Sequence, residues 1–196
     1  VFIHGGGWTG GDKAQGGPEL AALRDAGFLV VSINYRLGPQ YKFPAMIEDA
    51  KCAVRYLRAH AAVYNLDPER MGVWGSSAGG HLAALLGTAD AAAGFDTGEF
   101  LEQSSRVQAV TVFFGPTDLT VPFPGGYASK LEVFAPFDAA LASPVTYVTP
   151  DDPPFLLVHG DSDTLVPLSQ SEILLARLGE AGVRAELIVV ANAGHG

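Results

Sequence analysis

The sequence predicts an α/β fold: a mostly parallel sheet with helices on both faces, built as one domain over residues 1–196. Two observations carry that prediction. Short apolar runs alternate with helix-spaced segments along the whole chain, with no internal repeat and no linker. One alternation, from Met71 to Leu86, passes from an apolar run through Gly75-Ser-Ser-Ala-Gly79 into a helical pattern, so that two glycines flank a sharp strand-to-helix turn.

Val1-Phe-Ile-His4 reads as a buried strand running into Gly5-Gly-Gly-Trp-Thr-Gly-Gly11. Glu19 to Ala26 has helical composition, with Gly27 as its stop. Phe28-Leu-Val-Val-Ser-Ile-Asn34 is continuously apolar, the pattern of a strand covered on both faces. Tyr35 to Pro44 reads as loop and Ala45 to Ala62 as one long helix, with Ile47, Ala50, Val54 and Leu57 along its apolar stripe. A turn at Leu66–Arg70 leads into the strand–turn–helix unit. Thr88 to Arg106 is small, polar and irregular, and Val107–Phe114 is a fourth strand. Phe155–His159 is the fifth strand, Leu168–Ala181 a helix and Ala185–Val190 the sixth strand. Between them, Gly115 to Pro154 is rich in proline and aromatics, and its Phe123, Tyr127, Phe134 and Phe137 suit a lid or wall over a pocket.

Composition narrows the function. A chain that is 48% hydrophobic and 17% charged is not disordered. A net charge of −9 argues against nucleic acid and against an anionic membrane surface as partners. The single Cys52 excludes an internal disulfide and any cysteine-built metal site. No apolar run approaches the roughly 20 residues that span a bilayer. The chain opens inside a strand without a start methionine and stops one residue past a histidine, which reads as an excerpt of a longer gene product. An uncovered sheet edge is then expected, and with it a tendency to pair with a second copy as a homodimer.

The residues able to do chemistry cluster at strand ends. A serine hydroxyl needs a base, and the base needs an acid to orient it. Ser77 is the candidate nucleophile at the glycine-flanked turn. Of the five histidines, His195 in Asn192-Ala-Gly-His-Gly196 sits in a small-residue loop after the last strand, where a base can reach Ser77. His81, four residues past Ser77, is the alternative base and reads better as packing beneath the turn; His60 reads as solvent-facing. His4 and His159 end strands and read as hydrogen-bonding supports for the loops that follow. Asp161 and Asp163 share the loop after the fifth strand: one can orient His195 while the other closes the turn. Either gives the Ser–Asp–His chain order known for such a set; Asp163 is preferred, with Asp161 the alternative. Asp118 reads as structural.

Acyl transfer develops an oxyanion that needs preorganised N–H donors. The backbone N–H groups of Gly6, Gly7 and Ala78 are the candidates, and Trp8, Phe123 and Tyr127 are candidates for the substrate pocket. A rival reading takes Gly5-Gly-Gly-Trp-Thr-Gly10 as a dinucleotide-binding Gly-x-Gly-x-x-Gly, with Arg36 on a 2′-phosphate. That fingerprint should open directly into a helix, whereas Gly11, Gly16, Gly17 and Pro18 delay one here and Trp8 stands where phosphate would approach.

His4-Gly-Gly-Gly-Trp8, Asn34-Tyr-Arg-Leu37, Phe43-Pro44, Gly75-Ser-Ser-Ala-Gly-Gly-His81, His159-Gly-Asp-Ser-Asp163 and Gly194-His195 occur together and in order. With them the chain resembles the α/β-hydrolase carboxylesterases near the hormone-sensitive-lipase group, closest to the branch with acetyl-xylan and feruloyl esterases. The resemblance implies Ser77 as nucleophile, Asp163 as acid, His195 as base and an oxyanion hole from Gly6, Gly7 and Ala78. It also implies a small-molecule ester as substrate, no cofactor, no metal, and an ion pair between Arg36 and Glu48 or Asp49. Such a family normally has strands before the His-Gly-Gly-Gly strand and a helix after the last histidine. The expected activity is hydrolysis of short-chain acyl or aryl esters. An aryl-formamide or peptide hydrolase using the same residues is the alternative.

Overall fold

The structure, a computed structural model, describes residues 1–123 and 131–196. Six strands, β1 (Phe2–Ile3), β2 (Ser32–Ile33), β3 (Gly72–Ser76), β4 (Ala109–Phe113), β5 (Phe155–Gly160) and β6 (Ala185–Val190), form one sheet in the order β2-β1-β3-β4-β5-β6. Every pairing is parallel, from Phe2↔Ser32 at one side to Gly160↔Val190 at the other. Among the described residues five α-helices accompany them: α1 (Gly17–Asp25), α2 (Ala45–Ala59), α3 (Ala61–Tyr64), α4 (Ala78–Thr88) and α5 (Ser169–Glu180). The strand order reverses between β1 and β3, which opens a crevice at their carboxyl ends.

The core forms where α4 lies on the sheet. Every residue from Ala78 to Leu86 is buried, so this helix is apolar all round rather than amphipathic. The stripe of α2 (Met46, Ile47, Ala50, Val54 and Leu57) belongs to the same core. Small residues set how closely α4 approaches: a Cβ on Gly80 would stand 3.0 Å from the carbonyl oxygen of Phe113 in β4. Among the described residues no helix is long and apolar enough to cross a membrane.

Three sequence expectations need correction. The apolar run from Phe28 is not a strand covered on both faces. Only Ser32–Ile33 pairs, at the sheet edge, and Phe28 and Leu29 are 63% and 54% exposed. Hydrophobicity signals burial partners, but an edge strand finds neighbours on one side only. The helix expected through Ala62 breaks at His60 into α2 and the short α3. His60 is half-buried rather than solvent-facing, stacked on Tyr56 with ring centroids 4.2 Å apart. The aromatic stretch between Gly115 and Pro154 sends part of itself inward: Val133 and Phe134 are buried in the core, with Phe134 against Trp8 and Phe43.

Polar anchors hold the irregular segments. Lys51 and Arg55, on the buried side of α2, both reach Asp96, at 2.9 and 2.6 Å. Arg55 also donates to the carbonyls of Glu99 and Thr97, and Lys51 to the Ser105 hydroxyl. That is how a segment with no periodicity between Thr88 and Arg106 acquires a fixed path. Arg36 pairs with both Glu48 and Asp49 at the start of α2, at 3.0 and 2.8 Å, and Asp49 also accepts from the Arg36 backbone N–H.

Candidate active site

Ser77 occupies the turn between β3 and α4 with φ 55° and ψ −121°, a region that costs a non-glycine residue about 1–3 kcal/mol. The glycines of the motif make the turn possible. A Cβ on Gly75 would overlap the carbonyl oxygen of Gly79 and stand 2.8 Å from that of Ile3. A Cβ on Gly79 would overlap the Ile3 carbonyl oxygen and come within 2.5 Å of that of His4. The turn is thus wedged against the end of β1, and the Ser77 N–H donates to the Phe113 carbonyl of β4 at 2.9 Å.

The structure brings three of the predicted residues into one hydrogen-bonded line. His195, in the loop after β6, lies 2.9 Å from Ser77 Oγ through Nε2 and 2.7 Å from Asp163 Oδ2 through Nδ1. A carboxylate can only accept, so Nδ1 carries the proton and Nε2 presents its lone pair to the serine hydroxyl. The Asp163 side chain is fully buried, and its Oδ1 accepts from the N–H groups of Leu165 and Val166 at 2.9 Å each. The Phe114 ring stands edge-on to the imidazole, centroids 4.7 Å apart. Asp161 does the other job open to that pair: its Oδ1 takes the Asn192 N–H at 2.7 Å and the Ser162 hydroxyl, closing the loop that carries His195. Asp118 turns its Oδ1 to Thr120.

Gly6 and Gly7, at φ 111° and 58°, line the same cleft as Ser77 and His195, a space of about 730 Å³ walled also by Phe2, Phe114 and Leu165. The Gly6 carbonyl accepts from Thr9 and Gly10, so the loop folds back on itself. It then enters a short 3₁₀ turn at Lys13–Gly16 before α1, rather than opening into a helix as a dinucleotide loop would. Ala78 is the first residue of α4, where a backbone N–H has no intrahelical acceptor. Among the described residues no cluster of three or more His, Cys, Asp or Glu side chains is placed to hold a metal ion.

Trp8 does not line this cleft. It is wholly buried beneath the glycine loop, with φ 58°. Its indole N–H donates to His81 Nδ1 at 3.2 Å, and His81 Nε2 donates to the Ala142 carbonyl at 2.8 Å. A long flat side chain beside three glycines reads as exposed, but here the glycines let the backbone turn and drive the ring inward. The pair ties the glycine loop to the helix that begins after Ser77. Phe123 packs half-buried against the core and does not line the cleft, and Tyr127 lies outside the described residues. His4 stacks on Tyr35, centroids 4.4 Å apart, and its Nδ1 donates to the Gly5 carbonyl.

Burial lowers the His81 pKa from its ordinary 6.5 to about 4, the bond to Ala142 opposing in part. A depressed value in the folded state means the unfolded chain takes up this proton first as pH falls. The contribution is therefore intact above pH 6.5 and is lost on the way down to about pH 4, on the order of 3 kcal/mol in full. His4 and His159 are shifted the same way, chiefly by burial. Urea unfolding at pH 7 and pH 4.5 should show a clear loss of stability at the lower pH, with a smaller loss in His81→Gln. An equal loss in both would contradict the assignment to His81.

A family model described as BD-FAE matches residues 1–178. The chain is 37% identical over 181 residues to the probable carboxylic ester hydrolase LipM of Mycobacterium tuberculosis, covering 86% of this chain and 42% of LipM. It thus spans about half the length of the curated relatives it matches. Among solved structures it superposes on a truncated carbohydrate esterase from gut microbiota with a TM-score of 0.88 at 35% identity, over 99% of this chain and 77% of that one. It also superposes on Thermogutta terrifontis esterase 2 phosphonylated by sarin, with a TM-score of 0.90 at 29% identity, over 100% and 73%. That esterase is known with propionate and with butyrate bound as well. The six-stranded parallel sheet is an α/β-hydrolase fold, and the chain belongs to the BD-FAE family.

Proposed function

We propose that this chain is the catalytic part of a serine carboxylesterase that hydrolyses short-chain acyl esters. The observation that carries the reading is the unbroken line Ser77 Oγ, His195 Nε2, His195 Nδ1, Asp163 Oδ2 at the floor of an open cleft. In this reading Ser77 attacks the ester carbonyl as His195 takes its proton. The N–H groups of Gly6, Gly7 and Ala78 face the oxyanion that develops, and His195 then returns the proton to the departing alcohol. Water attacks the acyl-enzyme through the same imidazole and frees the acid. Asp163 holds the imidazole in the tautomer that presents Nε2 to serine.

Similarity to proteins named as ester hydrolases supports the reaction class. The short acyl group is supported by the propionate and butyrate complexes of the Thermogutta esterase. Initial rates on p-nitrophenyl acetate, butyrate and laurate, with p-nitroacetanilide alongside, test it. Acetate and butyrate should exceed laurate by about tenfold or more, since fit in a pocket of fixed size discriminates by that order. The anilide should be slowest. Laurate turned over best would overturn the short-acyl reading, and an anilide faster than the esters would replace the esterase with an amidase.

A further inference from the structure

The mechanism leaves unused a second buried imidazole behind the acid. His159, the fifth residue of β5, is fully buried. Its Nε2 lies 2.9 Å from the Val166 carbonyl and 3.4 Å from Asp163 Oδ2. A carbonyl only accepts, so Nε2 carries the proton, and Nδ1 takes the hydroxyl hydrogen of Ser171 at 2.7 Å. Ser171 is itself buried in α5. Three N–H groups therefore donate to the Asp163 carboxylate, Leu165 and Val166 to Oδ1 and His195 to Oδ2, and His159 Nε2 stands 3.4 Å from Oδ2 on the far side.

We propose that Ser171 and His159 are positioning residues that extend the line of Ser77, His195 and Asp163 into a five-member relay, in which the His159 N–H tempers the pull of the Asp163 anion on His195. This rests on the functional reading above. The physical basis is that an N–H dipole held beside a buried anion, here 3.4 Å from Oδ2, stabilises its charge, and less charge is then felt by the imidazole on its other side. Burial lowers the proton affinity of His159, an effect Asp163 opposes and His195 adds to. Among the described residues, Asp163 and His195 are the titratable groups that act on this ring. From α5 the ring meets the Ser171 hydroxyl, β6 sets Val189 opposite it, and Asp161 turns its Oδ1 to Asn192 and Ser162.

The test compares the parent chain with His159→Leu, His159→Gln and Ser171→Ala. Two readouts are taken: the acid limb of kcat/KM on p-nitrophenyl acetate, and the pH midpoint of the deshielded His195 Nδ1 proton by NMR. With His159→Leu both midpoints should move to higher pH by about half a unit or more, as loss of one N–H dipole beside a carboxylate predicts. His159→Gln puts an amide N–H where Nε2 stands and should return them to within about 0.2 units of the parent. Ser171→Ala, a mild change that frees Nδ1 to take the proton, should shift them in the same direction by less. Parental midpoints in a folded His159→Leu overturn the relay, as does a His159→Gln that behaves like leucine. If the leucine variant does not fold, a parental midpoint in Ser171→Ala overturns it. The resonance needs no turnover, so a parent that hydrolyses no ester would sink the functional reading while the relay is still judged by NMR.

Discussion

Ser77→Ala is expected to lower turnover of p-nitrophenyl acetate by about a million-fold, to the background rate, with an unchanged melting temperature. The size of the effect follows from the chemistry. Among the described residues no other hydroxyl stands on His195 Nε2, so the alanine chain lacks the hydroxyl that the imidazole faces. The fold is expected to survive because alanine keeps the Cβ and with it the same backbone demand at φ 55°. His195→Ala should cost nearly as much, and the double variant little more, since residues acting as a unit are not additive. A Ser77→Ala chain that retains a tenth of the parent rate would mean that the hydrolysis happens elsewhere.

Gly79→Ala should cost about 3 kcal/mol or more in urea unfolding, because the clash is with backbone that cannot swing aside. The added methyl would overlap the Ile3 carbonyl and crowd that of His4, both at the end of strand β1, which leads into the glycine loop. The same substitution at Gly179 is the control. That glycine is exposed near the end of α5 with nothing within 4 Å of an added Cβ, and alanine there should stabilise by up to about 1 kcal/mol. Equal effects at the two positions would show that the turn is not wedged against β1 as described.

The elements near Ser77 were the most legible in the sequence. Strand, glycine turn and helix is a local pattern, and Ser77 sits where it predicts, as do the loops after β5 and β6 that bring Asp163 and His195 to it. Chain order does not separate Asp163 from Asp161, because both lie in one loop between Ser77 and His195 and their directions depend on how it closes. Trp8 was misplaced for a physical reason: a positive φ at a bulky residue has no sequence signature, and it decides whether the ring points out or in. The partners of Lys51 and Arg55 were equally hidden. Cations on a helix read as solvated, and only the path of the chain through Asp96 makes them interior. Phe28 and Leu29 show the converse, since apolar composition does not say which edge of a sheet a strand will take.

Treatment of the parent chain with a fluorophosphonate, followed by peptide mapping of the adduct, tests most directly that Ser77 is a nucleophile activated by His195. One phosphonyl group should appear, on the Ser77 peptide, and labelling should slow by several orders of magnitude in His195→Ala, which lacks the base. An adduct on another residue, or labelling of Ser77 at the same rate without His195, would contradict it.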